Sequence, residues 1–311
     1  METSQNTTEQ KKQIKVLYIA TLVLLLPLFA SLYYLYDKSK DAEVVTAPVE
    51  TIEPISVTLQ NVNTTAHAAF VVSLNNDRVL YEKHPDKQLP LASITKLMTA
   101  KVAEDQSEGG ITSVRKMPDP TYGDAKLAEG DQWQTENLIA YTLVTSSNDG
   151  AHSLSTGTNS RVSFVDSMNK LASVIGLTNT KFYNETGLDN ELQDVPGSRG
   201  SAKDISMLLS YLVKTDLSLY EKTKYNTAYV QSPAGLTAAK NTNEVASQIV
   251  GLLVSKTGYT DLAGGNLAIV ADMGLNEPTA FVVLHSSKES RFDDVLNLQK
   301  EYFAQVANRM R

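Results

Sequence analysis

Strand-like segments lie at the two ends of one long stretch of this chain and helical segments lie between them, an order that few folds accommodate. Residues 68–74 form an apolar run, Asn75-Asn76-Asp77 a turn, and residues 78–83 a second run, which together read as a hairpin. Far downstream, residues 249–257, 266–273 and 279–285 are rich in Val and Leu and are separated by Gly264-Gly265 and by residues 274–278, so three more strands are expected there. The section between reads as helices. Thr135 caps one that carries Leu138, Ile139, Thr142 and Leu143; Ser160 caps another, with Val162, Val165, Met168, Leu171, Ala172 and Ile175 at helical spacing and Gly176 as its stop; a third covers 202–214. A final helix over 292–309 presents Val295, Leu298, Tyr302, Phe303 and Val306. Five strands from both chain ends bury their apolar faces most economically as one sheet covered by helices, an α/β (α+β) architecture with a mainly helical insertion.

Composition removes several function classes. The net charge is -7, and within residues 1–37 three Lys offset Glu2, Glu9 and Asp37, so the acidic excess sits on the remainder and disfavours a nucleic-acid partner. No cysteine is present, which excludes thiol catalysis, disulfides and Cys-ligated metals. His67, His84, His152 and His285 stand apart with no ligand spacing, so neither a metal nor a cofactor is expected.

The first residues carry Lys11, Lys12 and Lys15, and residues 16–36 carry no charge at all. At about 1.5 Å per residue that run spans the roughly 30 Å of a bilayer core, with Tyr33, Tyr34 and Tyr36 at its far end where an aromatic belt lies. A cleaved signal peptide has a shorter apolar region, so the expectation is an uncleaved transmembrane signal-anchor helix. The expected organisation is a cytoplasmic tail over 1–15, a transmembrane helix over 16–36, an extracytoplasmic linker containing Pro48 and Pro54 over 37–65, and one catalytic domain over 66–311.

Ser93-Ile-Thr-Lys96 opens a helix after the hairpin. Three-residue spacing puts both side chains on one face, and the partial positive charge of a helix N-terminus disfavours the ammonium of Lys96 while favouring an anionic Ser93 oxygen. Ile94, Leu97, Met98 and Val102 form an apolar stripe, and Ala100 and Ala103 lie beside Ser93 and Lys96, so the helix is expected to be buried on most sides. The same spacing occurs at Ser113/Lys116 and Ser167/Lys170, but Ser113 lies in a strand-like run and Ser167 deep in a helix. Two further short motifs follow: Ser146-Ser147-Asn148 in a helix-breaking loop and Lys256-Thr257-Gly258 at a strand end. Their order is more specific than any one of them.

Ser-x-x-Lys, Ser-x-Asn and Lys-Thr-Gly in that order resemble the penicillin-binding proteins and serine β-lactamases. Within that superfamily the chain is most similar to the D-alanyl-D-alanine carboxypeptidases. The likeness runs from about 66 to 303 and includes Leu80-Tyr81-Glu82, Ser147-Asn148-Asp149, residues 164–169 and 184–188, Asn241-Thr242-Asn243, and Tyr259-Thr260 after the last motif. It implies a β-lactamase/transpeptidase-like fold with a five-stranded antiparallel sheet. It also implies a serine carboxypeptidase that removes terminal D-Ala from peptidoglycan stem peptides through an acyl-enzyme, is inhibited covalently by β-lactams and sits outside a bacterial cell membrane.

In that family's terms Ser93 is the nucleophile, Lys96 its general base, Ser146 a proton relay, and Asn148 a hydrogen-bond partner of Lys96 and substrate. Lys256 and Thr257 take the terminal carboxylate, Gly258 lets substrate lie along the strand edge, and the backbone N–H groups of Ser93 and Tyr259 form the oxyanion hole. Thr186 stands where some members have His, and Ser147 where many have Gly. A DD-endopeptidase, a β-lactamase with Glu185 as the nearest candidate second base, and a non-catalytic wall-binding protein are the alternatives.

Overall fold

The computed structural model describes residues 25–38, 58–60, 62–107, 109–157, 160–190, 194–274 and 276–309. The chain divides into two units, Met1–Pro54 and Ile55–Arg311. Of the first, residues 25–38 are helical and expose Leu25, Leu28, Phe29, Leu32, Tyr33 and Tyr36. The rest of the expected membrane span, residues 16–24, and most of the expected linker lie outside the described residues. Among the described residues no helix is long and apolar enough to cross a membrane.

The second unit is built on β1 (Ala68–Ser73), β2 (Val79–Lys83), β3 (Leu252–Thr260), β4 (Gly264–Asp272) and β5 (Pro278–Ser286). They form one antiparallel sheet in the order β3-β4-β5-β1-β2, so the two chain ends meet where β1 pairs β5 from Ala68↔Leu284 to Ser73↔Thr279. Strands β1, β4 and β5 read as near-continuous apolar runs because both faces are covered, whereas the edge strand β2 buries only Leu80. Alternate residues divide between two cores: Phe70, Val72, Val270 and Val282 face one, and Ala69, Val71, Ile269, Phe281 and Val283 face the other. Helix α6 (Ser290–Arg309) seals the second core with Val295, Leu298 and Tyr302.

The first core is closed by α1 (Lys96–Ser107), α2 (Thr135–Thr145), α3 (Asn148–Thr156), α4 (Arg161–Ile175) and α5 (Ala202–Tyr220). Every residue of α1 from Lys96 to Ala103 is buried, as its double pattern predicts.

Several boundaries differ from the sequence expectation. The strand expected from 249 starts at Leu252, because Gly251 turns the chain at φ 69°, where a Cβ would overlap the Asp272 carbonyl. Thr135 is inside α2 rather than its cap. Gln134 is the N-cap, and the Thr135 hydroxyl donates to the Gly110 carbonyl at 2.8 Å. Helix α5 runs past residue 214 through a break at Asp216, whose carboxylate accepts from the Leu219 N–H at 3.3 Å and so caps the second segment. The hairpin of Thr227–Ser232 with Gly235–Lys240 was not anticipated, although its first strand alternates exposed and buried residues. Residues read as the end of a linker join the domain: the Leu59 N–H donates to the Leu80 carbonyl at 2.7 Å, and the Thr65 N–H to Asp294 at 2.7 Å.

Candidate active site

Between β1–β2 and α1 the chain makes a 3-10 turn, Ala92–Thr95, which carries Ser93 into the first residue of α1, Lys96. Ala92 enters the turn at φ 49°, an uncommon conformation for a residue with a side chain. The turn packs against the free edge of β3, and a Cβ at Gly258 would lie 2.6 Å from the Leu91 carbonyl and 3.2 Å from the Ser93 nitrogen. Glycine is therefore required where the strand meets the turn.

Lys96 is wholly buried, and its Nζ lies 2.8 Å from Ser93 Oγ, 2.9 Å from Asn148 Oδ1 and 2.7 Å from the Thr186 carbonyl oxygen. Two of these partners can only accept, and the third is a hydroxyl. A neutral amine has two N–H bonds and one lone pair, so it satisfies both carbonyl oxygens and leaves its lone pair for the Ser93 proton. Burial pushes the pKa of Lys96 down from 10.5 to about 7, against a smaller opposing pull from the Glu185 carboxylate. The geometry thus makes an amine that is half-neutral near neutral pH, aimed at a serine hydroxyl.

The second motif occupies the junction of α2 and α3. Ser146 ends α2 at φ 60°, and Ser147 caps α3 by accepting the Gly150 N–H at 3.0 Å. Asn148, the first residue of α3, donates through Nδ2 to the Tyr122 carbonyl at 3.2 Å, which fixes its Oδ1 toward Lys96. The third motif closes the cavity from β3. Lys256 Nζ donates to Ser146 Oγ and to the Thr257 carbonyl, each at 2.9 Å. Burial, then the charges of Lys96 and Arg291, push the Lys256 ammonium well below its ordinary range. An anion held there reverses that balance by pairing with the cation. The Thr257 hydroxyl lies 2.6 Å from that of Thr242. Tyr259 leaves its side chain exposed, with its hydroxyl 3.3 Å from Asp261, so only its backbone belongs to the site.

Ser93, Lys96, Ser146, Asn148, Lys256, Thr257 and Gly258 are thus brought together, although they come from three distant stretches. Ser113 lies in the strand Ile111–Ser113 and Ser167 within α4, each away from this cluster. Among the described residues no group of His, Asp and Glu has the arrangement of a metal site.

A family model described as D-alanyl-D-alanine carboxypeptidase matches residues 55–288. The chain belongs to that family. It is a serine peptidase of the D-alanyl-D-alanine carboxypeptidase family, with penicillin-binding-protein architecture. A D-alanyl-D-alanine endopeptidase of Escherichia coli is 28% identical over 239 residues, 75% of each chain. A D-alanyl-D-alanine carboxypeptidase of Bacillus subtilis is 28% identical over 253 residues, 77% of this chain and 62% of that one. Penicillin-binding protein D2 of Listeria monocytogenes in its cefotaxime-bound form superposes with a TM-score of 0.70 at 28% identity, covering 78% of this chain and 99% of that one.

Two further parts of this carboxypeptidase-family site lie outside the three short motifs. The Thr186 carbonyl that receives Lys96 lies in a loop folded around Asn184, whose Oδ1 accepts the Gly187 N–H at 2.7 Å and whose Nδ2 donates to the Leu188 carbonyl at 2.8 Å. Asp149 holds the 117–124 segment by accepting the Met117 N–H at 2.7 Å and the Asp124 N–H at 2.6 Å, and this segment supplies the Tyr122 carbonyl. Lys116, from the rejected pair Ser113/Lys116, pairs with Asp149 at 2.5 Å and so has a structural task.

Gly187 sits at φ 80°, and a Cβ there would overlap the Ala92 carbonyl. Gly187→Ala is therefore expected to cost about 3 kcal/mol or more and to lower Tm by roughly 10 °C, while slowing acylation at Ser93. A thermal melt that matches wild type would show that the two turns do not press on each other.

Proposed function

We propose that this chain is a membrane-anchored carboxypeptidase that removes the terminal D-Ala of peptidoglycan stem peptides through an ester on Ser93. The observation that carries this reading is the pairing of Lys96 Nζ with Ser93 Oγ at 2.8 Å in a buried cluster that Lys256 joins through Ser146. Ser93 Oγ attacks the carbonyl of the penultimate D-Ala as Lys96 takes its proton. The backbone N–H groups of Ser93 and Tyr259 stabilise the oxyanion. Lys256 and Thr257 hold the terminal carboxylate through charge-assisted hydrogen bonds. Ser146, bonded to Lys256, passes a proton to the leaving amine, and water then enters and releases the shortened peptide. Anchoring rests on the uncharged segment 16–36, of which residues 25–36 fall in a helix that exposes its apolar side chains. The domain then acts on the outer side of a bacterial cell membrane.

A second reading, endopeptidase action on cross-linked peptides, is favoured by the 28% identity to the Escherichia coli endopeptidase. Incubating the domain with a D-Ala-D-Ala pentapeptide and, separately, with a cross-linked muropeptide dimer, followed by mass spectrometry, tests both. D-Ala release from the pentapeptide is expected to dominate; cleavage of the dimer alone would reverse the assignment.

A β-lactamase needs a further base to deacylate its penicilloyl ester, and general-base assistance contributes about 10²–10⁴-fold in rate. Glu185, the nearest candidate in sequence, has its carboxylate bound to Arg161 Nε at 2.7 Å and to His152 Nδ1 at 3.0 Å. The penicilloyl ester is therefore expected to persist for minutes or longer in a mass-spectrometric chase. Rapid multiple turnover of penicillin would favour the β-lactamase.

A further inference from the structure

Glu185 is a fully buried acidic side chain beside the cluster of Ser93 and Lys96, and the mechanism above does not use it. Its carboxylate is fully enclosed, as is that of Asp149 in α3. Burying a carboxylate costs several kcal/mol unless it is paired and hydrogen-bonded, and here the pairing is complete. Arg161, at the first turn of α4, reaches Oε2 through Nε, and His152, from α3, reaches Oε1. These contacts outweigh the penalty of burial and hold the Glu185 carboxyl below its ordinary range, so it is ionised at neutral pH. Its backbone is equally constrained, since the Thr99 hydroxyl of α1 donates to the Glu185 carbonyl at 2.6 Å. The next residue, Thr186, supplies the carbonyl that accepts from Lys96 Nζ at 2.7 Å. Three helices thus converge on one residue, and its neighbour touches the general base.

We propose that Glu185 is a positioning residue for the acylation step: clamped by His152 and Arg161, it fixes the Thr186 carbonyl against Lys96 and supplies the anionic field that keeps this buried amine basic enough to accept the Ser93 proton. The inference rests on the reading of Ser93 and Lys96 as nucleophile and base. The groups facing Lys96 are Ser93 from the 3-10 turn, Asn148 from α3, the Thr186 carbonyl from its loop and, from β3, the amine of Lys256. Of the charges acting on Lys96, Glu185 is the one that raises its pKa. Without it, burial alone sets the balance and the amine becomes a weaker base. Glu185 touches neither the nucleophile nor the expected path of the substrate, which separates this role from that of a deacylating base.

The test is the pH dependence of acylation by a fluorescent penicillin, measured on the full chain between pH 5.5 and 9.5 for wild type, Glu185→Gln and Arg161→Met. In Glu185→Gln, an isosteric change that removes one negative charge, the acid limb is expected to move down by on the order of one pH unit, and the plateau to fall several-fold. Removing the Arg161 cation leaves the Glu185 charge less compensated, so in Arg161→Met the limb is expected to move up. A purely structural role lowers the plateau and leaves both limbs where wild type has them, and that result overturns the proposal. Should Glu185→Gln fail to fold, the partly exposed Arg161 still decides, because an unmoved or lowered limb in Arg161→Met also overturns it. A ¹³Cε-lysine titration, with the Lys96 resonance assigned from Lys96→Met, reads the same midpoint without catalysis. If wild type is not labelled at Ser93, the functional reading fails. If wild type is labelled and the limbs coincide, only this inference fails.

Discussion

Ser93→Ala is expected to abolish covalent labelling by a fluorescent penicillin and all release of D-Ala, while Ser113→Ala and Ser167→Ala are expected to label at the wild-type rate. The expected fall is large because an acyl-enzyme mechanism has no other acceptor. Removing a serine nucleophile from an enzyme of this kind costs on the order of 10⁶ in kcat, and here the 2.8 Å contact to Lys96 disappears with it. Stability is expected to change little, since the Ser93 side chain is half-buried and Lys96 keeps its two carbonyl partners. Intact-mass spectrometry after penicillin, with a thermal melt on the same sample, measures both quantities. A penicilloyl adduct on the Ala variant would place the nucleophile elsewhere.

The motif pairs differ in ways that show what a sequence reveals. Ser93 was separable from Ser113 and Ser167 because helix starts have a local grammar, and the structure sets Ser93 in the turn that opens α1. The central strands were legible because burial on both faces leaves continuous apolar runs, and Phe70 and Val71 on adjacent positions do feed opposite cores; the edge strand β2 was legible from the Asn75-Asn76-Asp77 turn before it. The hairpin at Thr227–Lys240 was missed since one of its strands is mostly Ala, Thr and Gly, with little hydrophobic pattern to read. The Thr186 carbonyl and the Glu185 clamp were not legible at all. A backbone acceptor leaves no residue-type signal, and a carboxylate in a loop looks solvent-exposed until Arg161 and His152 are brought to it from two helices. Lys116 shows the converse, a motif lysine whose partner is the buried Asp149.

Lys96 offers the second large effect, and its sign follows from the direction of its pKa. The folded pKa of about 7 lies below the ordinary 10.5 because burial penalises the ammonium. In the proposed mechanism the general base is the neutral amine, so the second-order rate of acylation should rise with pH, reach half its plateau near 7 and flatten above it. Protonation below that point fills the lone pair that accepts the Ser93 proton, and the rate falls about tenfold per pH unit. Lys96→Arg should lower the plateau by about 10²–10⁴-fold, because a guanidinium stays protonated throughout this range and cannot act as a base. The acid limb should vanish with the residue that makes it. A glutamine at 96 keeps a donor for Asn148 or Thr186 and removes the base, so it should lose the limb as well, which separates proton transfer from cavity shape. Acylation rates for the three proteins across pH 5.5 to 9.5 decide the matter. A limb near pH 7 that survives in both variants would assign the base to another group lining the cavity, with Lys256 the first to be tested, since burial also drives its ammonium toward the neutral form.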